Sequence, residues 1–74
     1  MTKKEIYQRI ADERELQNSK FESDRLMPHE YWLAILSEEI GEVAKAILEK
    51  DPINMKDELI QVAATAIAWL EEKF

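Results

Sequence analysis

The sequence contains no cysteine, so neither a disulfide nor a thiolate metal site is available to it. It has a single histidine, no glycine-rich phosphate loop and no serine or cysteine paired with histidine as a nucleophile. No apolar run reaches the length of a transmembrane helix, and no apolar signal core follows residues 1–5. We therefore expect a cytoplasmic protein with no membrane partner.

Basic residues are also scarce. The chain has 10 lysines and arginines against 16 acidic residues, which gives a net charge of −6. A surface that binds polymeric nucleic acid needs an excess of positive charge, so this class of partner is not expected. A nucleotide bound through Mg²⁺ stays compatible with the composition, because the cation reverses the local charge.

The chain is short for an independent fold. Its 74 residues are expected to form one domain spanning residues 1–74, and 46% of them are hydrophobic. A chain of this size buries only about 60% of the surface that it exposes when unfolded. A lone monomer would be marginal, so we expect self-association to bury the remainder.

The N-terminal region predicts a helix and a linker. Thr2 and Glu5 fit a capping box at the start of the helix. Its apolar stripe thins after Leu16, where charged and polar residues take over. Residues 21–27 contain turn formers and are the predicted linker.

Two further helices follow the linker. The second is predicted over about residues 28–50 and the third from Pro52 to about residue 73, with Asp51 as its N-cap. His29 falls in the first turn of the second helix and is given no catalytic role. Trp32 and Trp69 are interpreted as core or interface residues.

The third predicted helix is apolar on nearly every side. Between residues 59 and 70 only Gln61 and Thr65 are polar, and with Glu58 they follow i, i+3, i+7 spacing on one face. Such a helix is buried on more than one side, which in so small a protein indicates a subunit interface. The polar stripe needs partners. These are either carboxylates bridged by a cation or a core hydrogen bond across a dimer axis.

Three carboxylates lie within five residues of the second helix. Glu38 and Glu42 are separated by about 40° around the helix axis, and Glu39 and Glu42 by about 60°. All three can face one small volume, where a hard cation such as Mg²⁺ would offset their repulsion. The alternative is a solvated acidic face. Gly41, the only glycine, lies inside this cluster, and a mid-helix glycine often marks the close approach of a helix or a ligand.

These residues resemble a known family. Glu38-Glu39-x-x-Glu42, fifteen intervening residues and Glu58-x-x-Gln61 are similar to the motif of the MazG-like all-α nucleoside triphosphate pyrophosphohydrolases. Residues 32–36, 42–47 and 58–64, together with Arg14-x-x-Gln17-x-x-Lys20, resemble a small single-domain subgroup. The similarity covers about residues 13–72.

The resemblance implies an all-α fold, in which a three-helix MazG-like protomer completes a helical bundle by dimerisation or tetramerisation. It implies hydrolysis of a nucleoside triphosphate, NTP or dNTP, to the monophosphate and pyrophosphate with Mg²⁺, or with Mn²⁺ as an alternative. House-cleaning of the nucleotide pool is the implied setting.

The resemblance also assigns roles to residues. The implied metal ligands are Glu39, Glu42, Glu58 and Gln61. The implied catalytic residues are Glu38 and Glu39, of which Glu38 is a further ligand or orients the attacking water. The implied substrate-binding residues are Arg14, Gln17, Lys20 and Lys45. For the first three the alternative is a solvated helix end, and for Lys45 it is a solvated surface.

One residue departs from the family pattern. Gln61 stands where the wider family has aspartate, and an amide oxygen offers a ligand without the negative charge. Two hypotheses therefore stay open. The chain is either an active pyrophosphohydrolase or a non-catalytic helical oligomerisation or nucleotide-binding module with a vestigial metal site.

Overall fold

The computed structural model describes the backbone over residues 1–20 and 26–74, and the side chains over residues 1–18 and 26–74. Within these ranges the chain is helical and contains no strand, as predicted. The elements are α1 (Lys3–Lys20), α2 (His29–Leu48) and α3 (Pro52–Lys73). Residues 21–25 of the predicted linker lie outside the described residues. No helix in the described ranges is long and apolar enough to cross a membrane.

Side-chain caps start α1 and α3 at the predicted residues. The backbone N–H of Thr2 donates to Glu5 Oε1 and that of Glu5 donates to Thr2 Oγ1, both at 3.1 Å. At α3 the backbone N–H of Asn54 donates to Asp51 Oδ1 at 3.1 Å, and Pro52 occupies the first helical position. These bonds satisfy N–H groups that lack a partner inside the helix.

A tight turn joins α2 to α3. Lys50 adopts the left-handed conformation, with φ at 55°, and so ends α2 slightly before the predicted boundary. The N–H groups of Lys50 and Asp51 then donate to the carbonyls of Ile47 and Ala46 at 3.1 Å and 3.0 Å. This pattern satisfies the last carbonyls of the helix and turns the chain back so that α3 runs antiparallel to α2.

The third helix is the centre of the protomer. It packs against both α2 and α1, whereas α1 and α2 have no Cα atoms within 8 Å of each other in the described ranges. The buried apolar core comprises Trp32, Ala46, Ile60, Ala64 and Ala68. Because three of these five residues are alanines, the core of the single chain removes little apolar surface from water.

Ion pairs fasten α1 to α3. Arg9 Nη2 lies 3.0 Å from Asp57 Oδ1, and Arg14 Nη2 lies 3.2 Å from Glu71 Oε2. Ion pairs between partly exposed side chains contribute only about 0–1 kcal/mol each. Each of the two pairs therefore adds little to the stability of the contact between α1 and α3.

Two tryptophans hold the start of α2 against the end of α3. Trp32 and Trp69 stack with ring centroids 6.4 Å apart and planes inclined by 8°, in agreement with their predicted packing role. The indole N–H of Trp32 donates to the carboxylate of Glu72, which also accepts the backbone N–H of Met27 at 3.3 Å. The indole N–H of Trp69 donates to Nδ1 of the exposed His29 at 2.9 Å. A carboxylate from α3 thus anchors both α2 and Met27, which lies two residues before α2.

Substitution of Glu72 by alanine is expected to lower the free energy of unfolding by about 1–3 kcal/mol, because two part-buried N–H groups lose their acceptor. Glu72→Gln keeps an acceptor oxygen and should cost less. Glu71→Ala is the matched control, since Glu71 is 56% exposed and its loss breaks only the pair with Arg14, which should cost about 0–1 kcal/mol. Urea denaturation followed by circular dichroism measures all three. An equal loss in Glu71→Ala and Glu72→Ala would contradict the anchoring role.

Candidate metal and phosphate site

The acidic residues of α2 are not equivalent in the fold. Glu39 lies seven residues after Trp32 and seven before Ala46, and both of these are buried against α3. Seven residues are almost two full helical turns, so Glu39 shares the inward face with them. Glu38 and Glu42 are exposed at the edge of this face. The fold therefore directs one carboxylate of the motif toward α3 and leaves its two neighbours in solvent.

The carboxylate of Glu39 has an unfavourable environment. Its side chain is only part-buried, but one of its oxygens, Oε1, is buried and has no hydrogen-bond partner in the described structure. Burial raises the pKa of Glu39, and the negative charges of Glu58, Glu38 and Glu13 raise it further. A hydrogen bond with the hydroxyl of Thr65 acts in the opposite direction and lowers the pKa. The fold thus disfavours the ionised form of Glu39.

Neighbouring basic groups are engaged elsewhere. Arg9 and Arg14 pair with acidic residues of α3, and Lys45 lies 4.0 Å from Glu49 on α2 itself. The acidic site, by which we mean Glu13, Glu38, Glu39 and Glu58, therefore has an excess of negative charge that these ion pairs do not offset. Such a site attracts a cation.

The polar stripe of α3 faces Glu39 in part. Thr65 is buried, with an exposed fraction of 4%, and Glu58 and Gln61 are part-buried. The two ends of the stripe affect the pKa of Glu39 in opposite directions: Thr65 lowers it and Glu58 raises it. Gln61 lies between them in the sequence, one turn from each. The structure therefore brings α2 and α3 together along the two predicted motifs, with Glu39 at their meeting point.

The residues of the acidic site fit a divalent cation by their chemistry. A buried oxygen without a hydrogen bond, surrounded by further carboxylates, is a ligand set that Mg²⁺ accepts, and Mg²⁺ usually keeps several of its own waters. Within the described part of the chain, however, no three acidic or histidine side chains already converge on one point. The carboxylate oxygens are suitable ligands for the cation, but the described side chains of the single protomer do not yet form a complete coordination site.

The predicted substrate-binding residues have different surroundings. The guanidinium of Arg14 donates to Gln17 Oε1 at 2.8 Å, to Asn18 at 3.1 Å and to Glu71, so that Arg14 and Gln17 bond to each other. The side chain of Arg14 is only 14% exposed. Lys45 is exposed, and the side chain of Lys20 lies outside the described residues. Of the four residues, Lys45 is the one shown to be accessible to a ligand.

Glu13 on α1 is a member of the site that the sequence motifs did not identify. Its charge raises the pKa of Glu39, although Glu13 lies on α1 and Glu39 on α2. Ile6, Ile10, Glu13 and Gln17 follow i, i+4, i+7, i+11 spacing, and all are at least part-buried. The inward stripe of α1 therefore does not end after Leu16 but becomes polar, and this continuity of period is the signal that could have identified Glu13.

Comparison with known proteins gives one match. The family model of the MazG nucleotide pyrophosphohydrolase domain matches residues 27–71, which include all of α2 and most of α3. The matched region contains the acidic motif of α2 and the Glu58 to Gln61 motif of α3, whereas α1 lies outside it. No curated protein and no solved structure shows significant similarity to the chain.

Replacement of Glu39 by glutamine is expected to stabilise the metal-free protein at neutral pH. Folding raises the pKa of Glu39, so this group favours the folded state at low pH, and its contribution is lost as the pH rises from the unfolded to the folded pKa. Glutamine cannot ionise and escapes that loss. In EDTA, the melting temperature of Glu39→Gln relative to wild type should therefore increase from acidic to neutral pH.

Glu42→Gln provides the matched control for this experiment, because Glu42 lies on the same helix with an exposed side chain. It should show no comparable gain. If Glu39→Gln were less stable than wild type at neutral pH in EDTA, the carboxylate would be a favourable hydrogen-bonding group and the strained environment would be disproved.

Proposed function

We propose that this chain, which belongs to the MazG nucleotide pyrophosphohydrolase family, hydrolyses a nucleoside triphosphate, NTP or dNTP, to the monophosphate and pyrophosphate with Mg²⁺. The observation that carries the proposal is the buried, unpaired oxygen of Glu39 within the matched region, surrounded by further carboxylates. A carboxylate held in this way is costly to an isolated protein, and sites that bind cations commonly keep such strain. Mn²⁺ is the alternative cation.

The proposed metal-holding residues carry oxygen ligands on two helices: Glu39, Glu42, Glu58 and Gln61. When bound, Mg²⁺ neutralises negative charge on the phosphate oxygens and so lowers the barrier to attack at phosphorus. Glu39 is already directed toward α3, where the negative charge of Glu58 raises its pKa. The exposed Glu42 lies about one turn further along α2, and we propose that its carboxylate turns toward the same volume when the cation binds.

The proposed role of Glu38 and Glu39 in the reaction is to position water. The reaction forms a bond between a water oxygen and phosphorus and breaks a phosphoanhydride bond, with pyrophosphate as one product. Glu38 is exposed and lies next to Glu39, which supports a role for its carboxylate in accepting a hydrogen bond from the attacking water. Glu39 is the second carboxylate of this pair, and it faces α3, where the cation would be held.

Lys45 is the preferred phosphate contact among the proposed substrate-binding residues. It is exposed, follows Glu42 by three residues and makes only a 4.0 Å ion pair with Glu49. Arg14 must break its bonds to Glu71 before it can reach a phosphate, and Gln17 shares that network. We propose that Arg14 and Gln17 contribute by holding α1 in place, with Lys20 at the same end of α1. Removal of aberrant nucleotides in the cytoplasm is the setting that suits this activity.

A second candidate function is a non-catalytic nucleotide-binding or oligomerisation module. Two observations favour it: Gln61 replaces a charged residue of the family motif, and the described side chains do not converge as a group of three metal ligands. The two candidates differ in a simple measurement. Only the enzyme releases pyrophosphate. The module would bind a nucleotide, or a second copy of the chain, and release no pyrophosphate.

Glu42→Gln is expected to reduce pyrophosphate release by about a hundredfold or more, because it removes a charge from the proposed cation site. Glu30→Gln is the control, since Glu30 is an exposed carboxylate in the first turn of α2 and lies outside the motif. It should retain the wild-type rate. A panel of canonical and modified nucleoside triphosphates, each with Mg²⁺, Mn²⁺ or EDTA, measures the rates.

Equal rates in Glu42→Gln and wild type would exclude this site. Wild-type protein that is folded but releases no pyrophosphate from any member of the panel would favour the non-catalytic module. In that case a rise in melting temperature with Mg²⁺ would still establish cation binding, because a ligand of the native state at a hundred times its dissociation constant adds about 2.7 kcal/mol.

Gln61→Asp is expected to increase the affinity for Mg²⁺, since it adds a negative ligand at the position where the family motif has one. The same change should destabilise the metal-free protein, because Gln61 is part-buried beside an already acidic site. Thermal melts across a Mg²⁺ titration measure both effects. Weaker Mg²⁺ binding in Gln61→Asp than in wild type would contradict the assignment of Gln61 as a ligand.

A further inference from the structure

One polar side chain is buried almost completely in the protomer. Thr65 has an exposed fraction of 4%, and among the described residues it is the one polar member of the core. The other residues of α3 between positions 62 and 68 are all apolar. Burial of a hydroxyl is unfavourable unless the hydroxyl is hydrogen-bonded, so Thr65 requires a partner.

The register of α2 against α3 brings Thr65 close to Glu39. Trp32 stacks on Trp69 and the two helices run antiparallel, so Glu39, seven residues after Trp32, lies level with about residue 62 of α3. Side chains on a helix lean toward its N-terminus. Glu39 therefore leans toward the level of Thr65, and Thr65 leans toward the level of Glu39.

The two oxygens of the Glu39 carboxylate have different surroundings. The hydroxyl of Thr65 forms a hydrogen bond with the carboxylate and lowers the pKa of Glu39, whereas Oε1 is buried and has no hydrogen-bond partner in the described structure. The bond to Thr65 therefore involves the other oxygen. A carboxylate that is held at one oxygen cannot rotate freely, so the direction of Oε1 is restricted.

We propose that Thr65 is a positioning residue for the cation site: its hydroxyl donates to one oxygen of Glu39 and thereby leaves Oε1 for a divalent cation. Groups that hydrogen-bond to a metal ligand fix the orientation of that ligand and affect the affinity for the metal. Thr65 is not itself proposed as a ligand. The inference rests on the proposed function in requiring a cation at Glu39, but it does not require hydrolysis.

The competing role for Thr65 is purely structural. A threonine within a helix can donate to the carbonyl four residues earlier, which here belongs to Gln61. Thr65 would then satisfy its own hydroxyl without affecting Glu39. The two roles differ in what happens when the hydroxyl is removed, because only the positioning role couples Thr65 to Glu39.

The first test measures this coupling at neutral pH in EDTA, without cation or nucleotide. Thr65→Val removes the hydroxyl and keeps the shape of the side chain. It should lower the melting temperature of the wild-type protein by about 4 °C or more. The decrease should be much smaller in Glu39→Met, where no carboxylate is left to lose its partner. An equal decrease in both backgrounds overturns the proposal. Circular dichroism verifies that each variant remains helical.

The second test measures the dissociation constant of Mg²⁺ by calorimetry, again without nucleotide. Thr65→Val should raise this constant by about tenfold, whereas Thr65→Ser, which keeps a hydroxyl, should stay close to wild type. Ser37→Ala is the matched control, because it removes an exposed hydroxyl two residues from Glu39.

Equal Mg²⁺ binding by Thr65→Val and wild type overturns the positioning role and leaves the proposed function standing. Wild-type protein that binds no Mg²⁺ overturns both. If the variants bind Mg²⁺ in the expected order but wild type releases no pyrophosphate, the positioning role is supported and only the proposed hydrolysis fails.

Discussion

The whole protomer depends on α3, because it is the helix that contacts both others in the described chain. A helix that packs against two neighbours must be apolar on two sides. The small side chains of the buried Ala64 and Ala68 let neighbouring helices approach α3 closely. The same requirement limits the core, because small side chains bury little area. The fold is therefore joined along α3 by packing to α2 and by ion pairs to α1.

Within that arrangement Glu39 is the residue that opposes stability. It occupies a position on the inward face of α2, midway between Trp32 and Ala46, where an apolar side chain would pack. Burial and three neighbouring carboxylates raise its pKa, while Thr65 provides only partial compensation. A protein retains such a group where it has a use beyond folding, since a leucine or methionine there would be better for packing alone. This is the physical reason for proposing that the functional site lies at Glu39 rather than at its exposed neighbours.

Local signals in the sequence were sufficient for the helices. The pairs Thr2–Glu5 and Asp51–Asn54 act over three residues, so their geometry is set before any tertiary contact forms. The contacts between helices could not be predicted from such local signals. Periodicity placed Glu38, Glu39 and Glu42 on neighbouring directions, but it did not say which of them faces α3. The pairing of Arg14 with Glu71 joins residues 57 positions apart, and a charged residue in one helix carries no local mark of its partner in another.

The second helix carries two separate costs on opposite sides. Toward α3 it holds an unpaired carboxylate oxygen, and away from α3 it exposes an uncharged seam with a glycine at its centre. The proposed cation would offset the first cost, whereas no residue in the described part of the protomer covers the second. An α-helix with its side chains is about 10 Å across, and effects at that separation without shared partners are usually additive. The cost at Glu39 and the cost of the exposed outward side should therefore contribute to the free energy of unfolding independently, because α2 separates them.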